Sequence, residues 1–309
     1  MFQAIEDAEH IVLMAHVNPD ADSLGSASAM YTQLMRLEKK VTLFCATERV
    51  DTRLSFLPWF DKLRHHFPVK ADLAISFDCG AYKRLGLEVR CRLINIDHHK
   101  SNENYGDINL IDTAAISTTQ VLFEQFSDHK IKLNTKMATA LYAGLLDDAH
   151  SFLAPKTDAR TFTMAKALVE ANADINLCAR ELFQKNSLAA LRLKGLMFAK
   201  MFLRAEAQVV VHLVTQTMML ESGAREVDCE AVLEESLGLP HVKVALMIRE
   251  NRNGTLKGSL RSVGKLNVEK IAQAFGGGGH THASGFEVHN STMDAVYSKI
   301  ITIIQEDIR

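Results

Sequence analysis

Five cysteines in 309 residues are few for a disulfide scaffold. Cys45, Cys79, Cys91, Cys178 and Cys229 are odd in number, widely spaced and free of CxxC pairs. That spacing excludes a zinc ribbon and points to reduced thiols in a cytoplasmic protein. No apolar run approaches the roughly 18 residues of a membrane span; Ile11–Val17 is too short and ends in polar residues. The opening segment MFQAIEDAEH lacks the basic stretch of a signal peptide. Basic runs are missing too: 35 Lys and Arg are scattered against 37 Asp and Glu, for a net charge of −2. A broad duplex-DNA footprint is therefore not expected, although a local basic pocket remains open.

What is present is ordinary globular chemistry, 47% hydrophobic and 23% charged, which excludes disordered and collagen-like classes. The length suggests two domains. In the first half, Ile11–Val17, Val41–Cys45, Leu73–Asp78 and Arg92–Asp97 read as short buried strands. Helical patterns alternate with them, over Ser26–Lys39, Ser117–Phe126, Thr135–Leu146 and Asp158–Asn172, and a long helical stretch is expected near Leu177–Ala205. The expected fold is α/β: a mainly parallel sheet flanked by helices over residues 1–185, a helical linker over 186–206 and a smaller α+β domain over 207–309. In that last domain QVVVHLVTQT, HVKVALMIRE and LKGSLRSV read as strands, the latter two joined at Asn253-Gly254. A helix over Val268–Phe275 and a final one over Thr292–Asp307 complete it.

The chemistry concentrates where strands end. AHVNPDADSLGSA places His16, Asp20 and Asp22 between an apolar strand and a helix. LAISFD ends at Asp78, RLINIDHH at Asp97, His98 and His99, and LLDDAH carries Asp147 and Asp148 at the close of a helix. In open α/β sheets ligands gather beyond the carboxyl ends of strands. Carboxylates at a helix C-terminus oppose its dipole, so another group must hold them there. A single Asp at a strand end is more often a cap than a ligand; four clusters in one half argue for metal. Carboxylate with imidazole suits Mn²⁺ well and Mg²⁺ less well, and no thiolate is there to select zinc.

The order HxxxDxD, FDCG, DHH, LLDDAHSF and then GGGGHTHASG resembles the DHH phosphoesterase family with a C-terminal DHH-associated domain, in particular its nanoRNase and 3′-phosphoadenosine-5′-phosphate phosphatase branch. The resemblance implies two divalent metal ions, preferably Mn²⁺. His16 and Asp20 would serve one, Asp22, His98 and Asp148 the other, and Asp78 would bridge them. His99 would lie close to the scissile phosphate and Asp97 would support its loop. Arg261, Gly277, Gly278, Gly279 and His280 would grip the far end of a nucleotide, and Arg84 would reach the substrate. The fourth motif departs from the D-T-G of relatives: Asp148 takes the ligand register with Asp147 as the alternative, and His150 stands where relatives have glycine. The roles of His150 and His282 stay open. The implied partners are short oligonucleotides or small nucleotides; a homodimer and a monomer are both left open. No membrane partner is implied.

Overall fold

A computed structural model describes residues 1–308. The chain divides into two compact units, the first over Met1–Lys185 and the second beginning at Asn186. The first unit holds strands β1 (His10–Ala15), β2 (Lys40–Phe44), β3 (Leu63–Arg64), β4 (Leu73–Phe77), β5 (Arg92–Asp97) and β6 (Ile108–Ile111). Its helices are α1 (Phe2–Asp7), α2 (Ala21–Arg36), α3 (Thr118–Asp128), α4 (Thr135–Asp148), α5 (Ala159–Glu170) and α6 (Ile175–Ala179). The sheet order is β3-β2-β1-β4-β5-β6 with every pairing parallel. β1 and β4 are buried at every position, which explains their unbroken apolar runs: a parallel sheet is covered on both faces. The order reverses between β1 and β4, so their carboxyl ends open a crevice at the topological switch point.

Two helices fix what stands at that crevice. Asp20 caps α2, its Oδ1 accepting from Ser23 N at 2.9 Å. The cap starts α2 at Ala21, five residues before the helix read from the hydrophobic pattern. The residues of α2 from Ala21 to Leu34 are all buried, many of them Ala, Ser or Gly. These small side chains let α2 approach α4 closely; a Cβ on Gly25 would stand 2.4 Å from the Ala140 carbonyl oxygen. The carboxyl end of α4 and the amino end of α2 thereby meet at the crevice.

The second unit holds α7 (Leu188–Lys200), β7 (Phe202–Arg204), β8 (Val209–Val214), α8 (Gln216–Ser222), α9 (Glu230–Ser236), β9 (Val244–Glu250), β10 (Leu256–Ser262), α10 (Val268–Gln273), β11 (Gly278–His280), β12 (Ala283–Val288) and α11 (Met293–Ile308). Its sheet runs β11-β12-β10-β9-β8-β7; β8 and β9 are parallel and the other pairs antiparallel. The fold class is α/β with a C-terminal mixed-sheet unit, as the alternation of patterns implies.

One local expectation needs correction. The helical stretch over Leu177–Ala205 is broken: α6 passes into a π-helical turn over Arg180–Gln184, α7 restarts after its Ser187 cap, and Phe202–Arg204 is a strand. The Met- and Leu-rich stripe does pack, with Leu193 and Met197 buried beside Val210 and Val214. The segment after β8 includes two short helices, α8 and α9, which lack a long apolar period. The glycine run enters the sheet, where Gly278–His280 pairs with β12 as an edge strand. Among the described residues no helix is long and apolar enough to cross a membrane.

Candidate metal centre

His16 follows β1 directly and is buried. Its Nδ1 lies 2.9 Å from the Val17 carbonyl oxygen and 2.9 Å from Arg84 Nη2, which leaves Nε2 facing the carboxylates. That Nε2 is 3.4 Å from Asp20 Oδ2 and 3.5 Å from Asp78 Oδ2. Asp20 therefore works with both oxygens, one capping α2 and the other facing His16. Asp78 follows β4 in the left-handed backbone region, φ 56°, which Asp tolerates better than most residues. The turn aims its carboxylate back across the strand ends. Its Oδ2 faces His16, while its Oδ1 lies 3.4 Å from His98 Nε2 and accepts from Thr118 Oγ1 at 3.0 Å.

His98 continues the network. Its Nε2 is 3.2 Å from Asp148 Oδ2 at the end of α4. Asp22, fully buried in the first turn of α2, accepts from the backbone N–H groups of Thr118 at 2.6 Å and Thr119 at 2.8 Å. The open N–H groups at the start of α3 thus hold a buried carboxylate, where the helix dipole favours negative charge. Asp147 points elsewhere: its Oδ2 accepts from Ala21 N at 3.3 Å. The α4 carboxylates are held by α2 and by His98, which answers the dipole objection raised by their position.

Asp97 closes β5 without exposure. It accepts from the N–H of His98 at 2.7 Å, from His99 Nδ1 at 2.7 Å and from Asn102 Nδ2. His99 is partly open, its side chain 39% exposed. Arg84 reaches the same place, with Nη2 2.9 Å from His16 Nδ1. His98, His99, Asp148, His150 and Lys156 line a neighbouring cavity of about 430 Å³.

Charge shows why this cluster suits cations. Burial and the neighbouring Asp78 push Asp22 up to about 7. Burial, Asp22 and Asp78 push Asp148 up to about 11. Burial pulls His16 down, but the hydrogen bonds to Asp20 and Asp78 outweigh it and leave it at about 9. Protons thus sit where four carboxylates and two imidazoles crowd together, the arrangement a divalent cation relieves. Three groups bring one ligand atom per residue within 4.8 Å of each other: His16, Asp20 and Asp78; Asp22, His98 and Asp148; and Asp78, Asp97, His98 and His99. The donors are oxygen and imidazole nitrogen, a set that fits hard or borderline divalent metals.

In the second unit, Arg261 of β10 and His280 of β11 both pair with Ala283 of β12. Directly opposed residues of antiparallel strands share a face, so register places the two side chains on one side of the sheet. Arg261 is half-buried and donates to Glu230 Oε2 at 3.1 Å. A Cβ on Gly277 would stand 2.3 Å from the Gly285 carbonyl oxygen, so the run is also needed for close backbone packing. Gly279 has φ 149° and a similar clash with Ala283 O, whereas a Cβ on Gly278 would meet open space. His282 is turned to Ser262, with Nδ1 3.2 Å from its Oγ. Residues outside the sequence-predicted set support the site: Ser117 caps α3, accepting from Gln120 N, and Thr118 and Thr119 hold Asp22 and Asp78. The signal was the hydroxyl run at a helix start. Asn102, whose amide supports Asp97, carried none.

Comparison with known proteins agrees with this architecture. Residues 10–145 match the DHH family, N-terminal domain, and residues 206–306 match the DHHA1 domain. The bifunctional oligoribonuclease and PAP phosphatase NrnA of Bacillus subtilis is 26% identical over 313 residues, covering 99% of this chain and 98% of that protein. Its namesake from Thermus thermophilus is also 26% identical, over 96% of this chain and 90% of that protein. The crystal structure of an exopolyphosphatase-related protein from Bacteroides fragilis has the same fold, with a TM-score of 0.88 at 23% identity over 99% of this chain and 95% of that one. The chain belongs to the DHH family of metal-dependent phosphoesterases and carries a DHHA1 domain.

Proposed function

We propose that this protein is a manganese-dependent phosphodiesterase that hydrolyses dinucleotides and short oligonucleotides to nucleoside 5′-monophosphates. The observation that carries the reading is Asp78, whose two carboxylate oxygens face His16 on one side and His98 on the other. In this reading His16 and Asp20 hold one cation, Asp22, His98 and Asp148 a second, and Asp78 lies between. Divalent cations so held supply Lewis-acid activation of water and charge neutralisation at a phosphoryl group. The protein's own part is to fix the ligands. Thr118 and Thr119 orient Asp22 and Asp78, Val17 and Arg84 hold the Nδ1 edge of His16, and Asp97 holds the ring of His99, whose Nε2 is left to meet a phosphoryl oxygen. Arg84 adds positive charge beside His16. In the second unit Arg261, His280 and the N–H groups of Gly277, Gly278 and Gly279 bind the nucleotide beyond the scissile bond. Near-neutral net charge supports short substrates over long strands, which call for a positive groove.

The same centre supports removal of the 3′-phosphate from 3′-phosphoadenosine 5′-phosphate, since the bacterial relatives are named for both activities. A product-resolved assay with Mn²⁺ on pApA, longer RNA, single-stranded DNA, a cyclic dinucleotide and the bisphosphate tests the reading. Fastest release of monophosphate from pApA is expected, lost in Asp78→Asn. Fastest degradation of long strands would reject the short-substrate claim, and equal rates for wild type and variant would reject the site.

A further inference from the structure

The second unit buries an arginine away from Arg261. Arg249, near the carboxyl end of β9, has a side chain only 3% exposed. Its Nη2 donates to Glu226 Oε2 at 2.7 Å and to Asn251 Oδ1 at 3.0 Å. Its Nε is buried and has no hydrogen-bond partner among the described residues. A guanidinium stays charged at any pH the protein meets, and a buried donor left unmade costs about 1–3 kcal/mol.

Arg249 lines a cavity of about 370 Å³. Two more guanidinium groups stand on the same wall, Arg225 after α8 and Arg252 in the turn after β9. Arg252 makes no ion pair among the described residues, and Arg225 meets Asp228 only at 3.5 Å. Glu226 is the one carboxylate of the lining, so with Asp228 beside Arg225 three guanidinium groups meet two carboxylates there. Met219 and Leu220 form an apolar side, with Leu220 73% exposed. The volume lies in the range of small-ligand pockets, roughly 300–1,000 Å³.

This cavity is not part of the Arg261 and His280 surface. Arg261 pairs with Ala245 across β9 and β10, and Lys257 pairs with Arg249. Four residues of strand separate the two points, about 13 Å at the usual rise.

We propose that the cavity is a second ligand site, taking a phosphoryl group on Arg225, Arg249 and Arg252 with Met219 and Leu220 against the body of the ligand. Guanidinium forks match phosphate oxygens, and the apolar wall offers a nucleoside a surface that free phosphate does not need. The shared chemistry is the phosphoryl group; its source is inorganic phosphate or a nucleoside monophosphate. The inference stands independently of the reading of the metal centre.

Calorimetric titration of the full Mn²⁺-loaded chain with AMP, inorganic phosphate and adenosine tests it. The proposal expects an AMP-binding component that weakens at least ten-fold in an Arg225→Ala/Arg252→Ala double variant and is unchanged in Arg261→Ala. Phosphate competing as strongly as AMP assigns the site to free phosphate, and AMP binding at least ten-fold tighter assigns it to a nucleotide; either supports a phosphoryl site. A component indifferent to the double variant, one matched by adenosine, or no saturable component at all overturns the proposal. Both altered arginines are exposed, so the test does not depend on Arg249→Gln folding.

Discussion

Asp97 holds the ring of His99 from beneath: Oδ1 receives the Nδ1–H at 2.7 Å and also the backbone N–H of His98 at 2.7 Å. One buried carboxylate thus fixes both a loop and the imidazole that loop presents. Burial raises the carboxyl group, but its bonds to His99 and Asn102 outweigh that and keep it below the usual range. Asp97→Asn keeps the size and removes the charge. We expect kcat on pApA to fall about 10- to 100-fold, the scale seen when a group orienting a metal-site residue is lost. KM should move little, and calorimetry with Mn²⁺ should still find binding, because Asp97 is flanked by the ligands without being assigned as one.

Asp78 separates folding from function when the right substitution is chosen. Its φ of 56° is tolerated by Asn and strained for Ala. In the metal-free state Asp78→Asn should lose the charge that His16 and His98 hold on this carboxylate, and Asp78→Ala should lose about 1–2 kcal/mol more through backbone strain. The metal-dependent rise in melting temperature should largely disappear in both. A wild-type rise in Asp78→Asn would show that this carboxylate holds no cation.

Most of this centre was legible because each group sits at a feature that sequence also shows. His16, Asp78 and Asp97 mark the ends of unbroken apolar runs, and parallel order makes those ends converge. Of the two carboxylates in LLDDAH, Asp148 has its Oδ2 3.2 Å from His98, while Asp147 turns to Ala21. Edges and short elements were less legible. β3 has two residues and β11 is largely glycine, so neither carries a period, and the break before α7 lies in a stretch apolar enough to read as continuous helix. The support of Asp22 by α3 depends on a contact across 96 residues, which no local pattern records.

Gly144 tests the closeness of α2 and α4. A Cβ there would stand 2.5 Å from Thr119 Cγ2 and 2.7 Å from Asp22 Oδ1. In a free helix Gly→Ala gains up to about 1 kcal/mol, but overpacking a core costs roughly 1–3 kcal/mol. Steric cost should win: Gly144→Ala should unfold at lower urea and bind Mn²⁺ more weakly, since the atom it displaces belongs to Asp22. Gly195→Ala is the control. It lies in α7 with nothing within 4 Å of its Cβ position, and should be neutral or stabilising.

Arg160 gives a pH dependence that lies outside the metal centre. It joins Asp112 at 2.6 Å and Glu124 of α3 at 2.7 Å. Partial burial raises Asp112, but the Arg160 hydrogen bond outweighs it and holds the carboxyl below its ordinary value. A group lowered on folding adds stability above its unfolded pKa and loses it as pH falls through the folded one. Arg160→Met should thus cost about 0.5–1 kcal/mol at neutral pH, small because the pair is partly solvated. The difference from wild type should shrink below about pH 4, where carboxylates take up protons. Urea unfolding of both proteins at several pH values measures it; a gap that widens on acidification would contradict the assignment.

Thr118 distinguishes a backbone role from a side-chain role at one residue. Its N–H donates to Asp22 Oδ2 and its hydroxyl to Asp78 Oδ1. Thr118→Val keeps the first bond and the shape but removes the second, leaving a buried carboxylate oxygen with one donor fewer; Thr118→Ser keeps both. A hydrogen bond to a charged group is worth about 1.5–3 kcal/mol, and part of that is recovered when a cation neutralises Asp78. Two opposed effects follow. The metal-free Val variant should be less stable than wild type. Its Mn²⁺ affinity should change by less than the full bond, because metal-free protein and complex lose the same donor. The catalytic loss should exceed the affinity loss, since an Asp78 free to rotate no longer keeps its two oxygens on His16 and His98. If Thr118→Val matched wild type in stability and rate, or Thr118→Ser fell as far as Thr118→Val, the hydroxyl bond to Asp78 would not account for the effect.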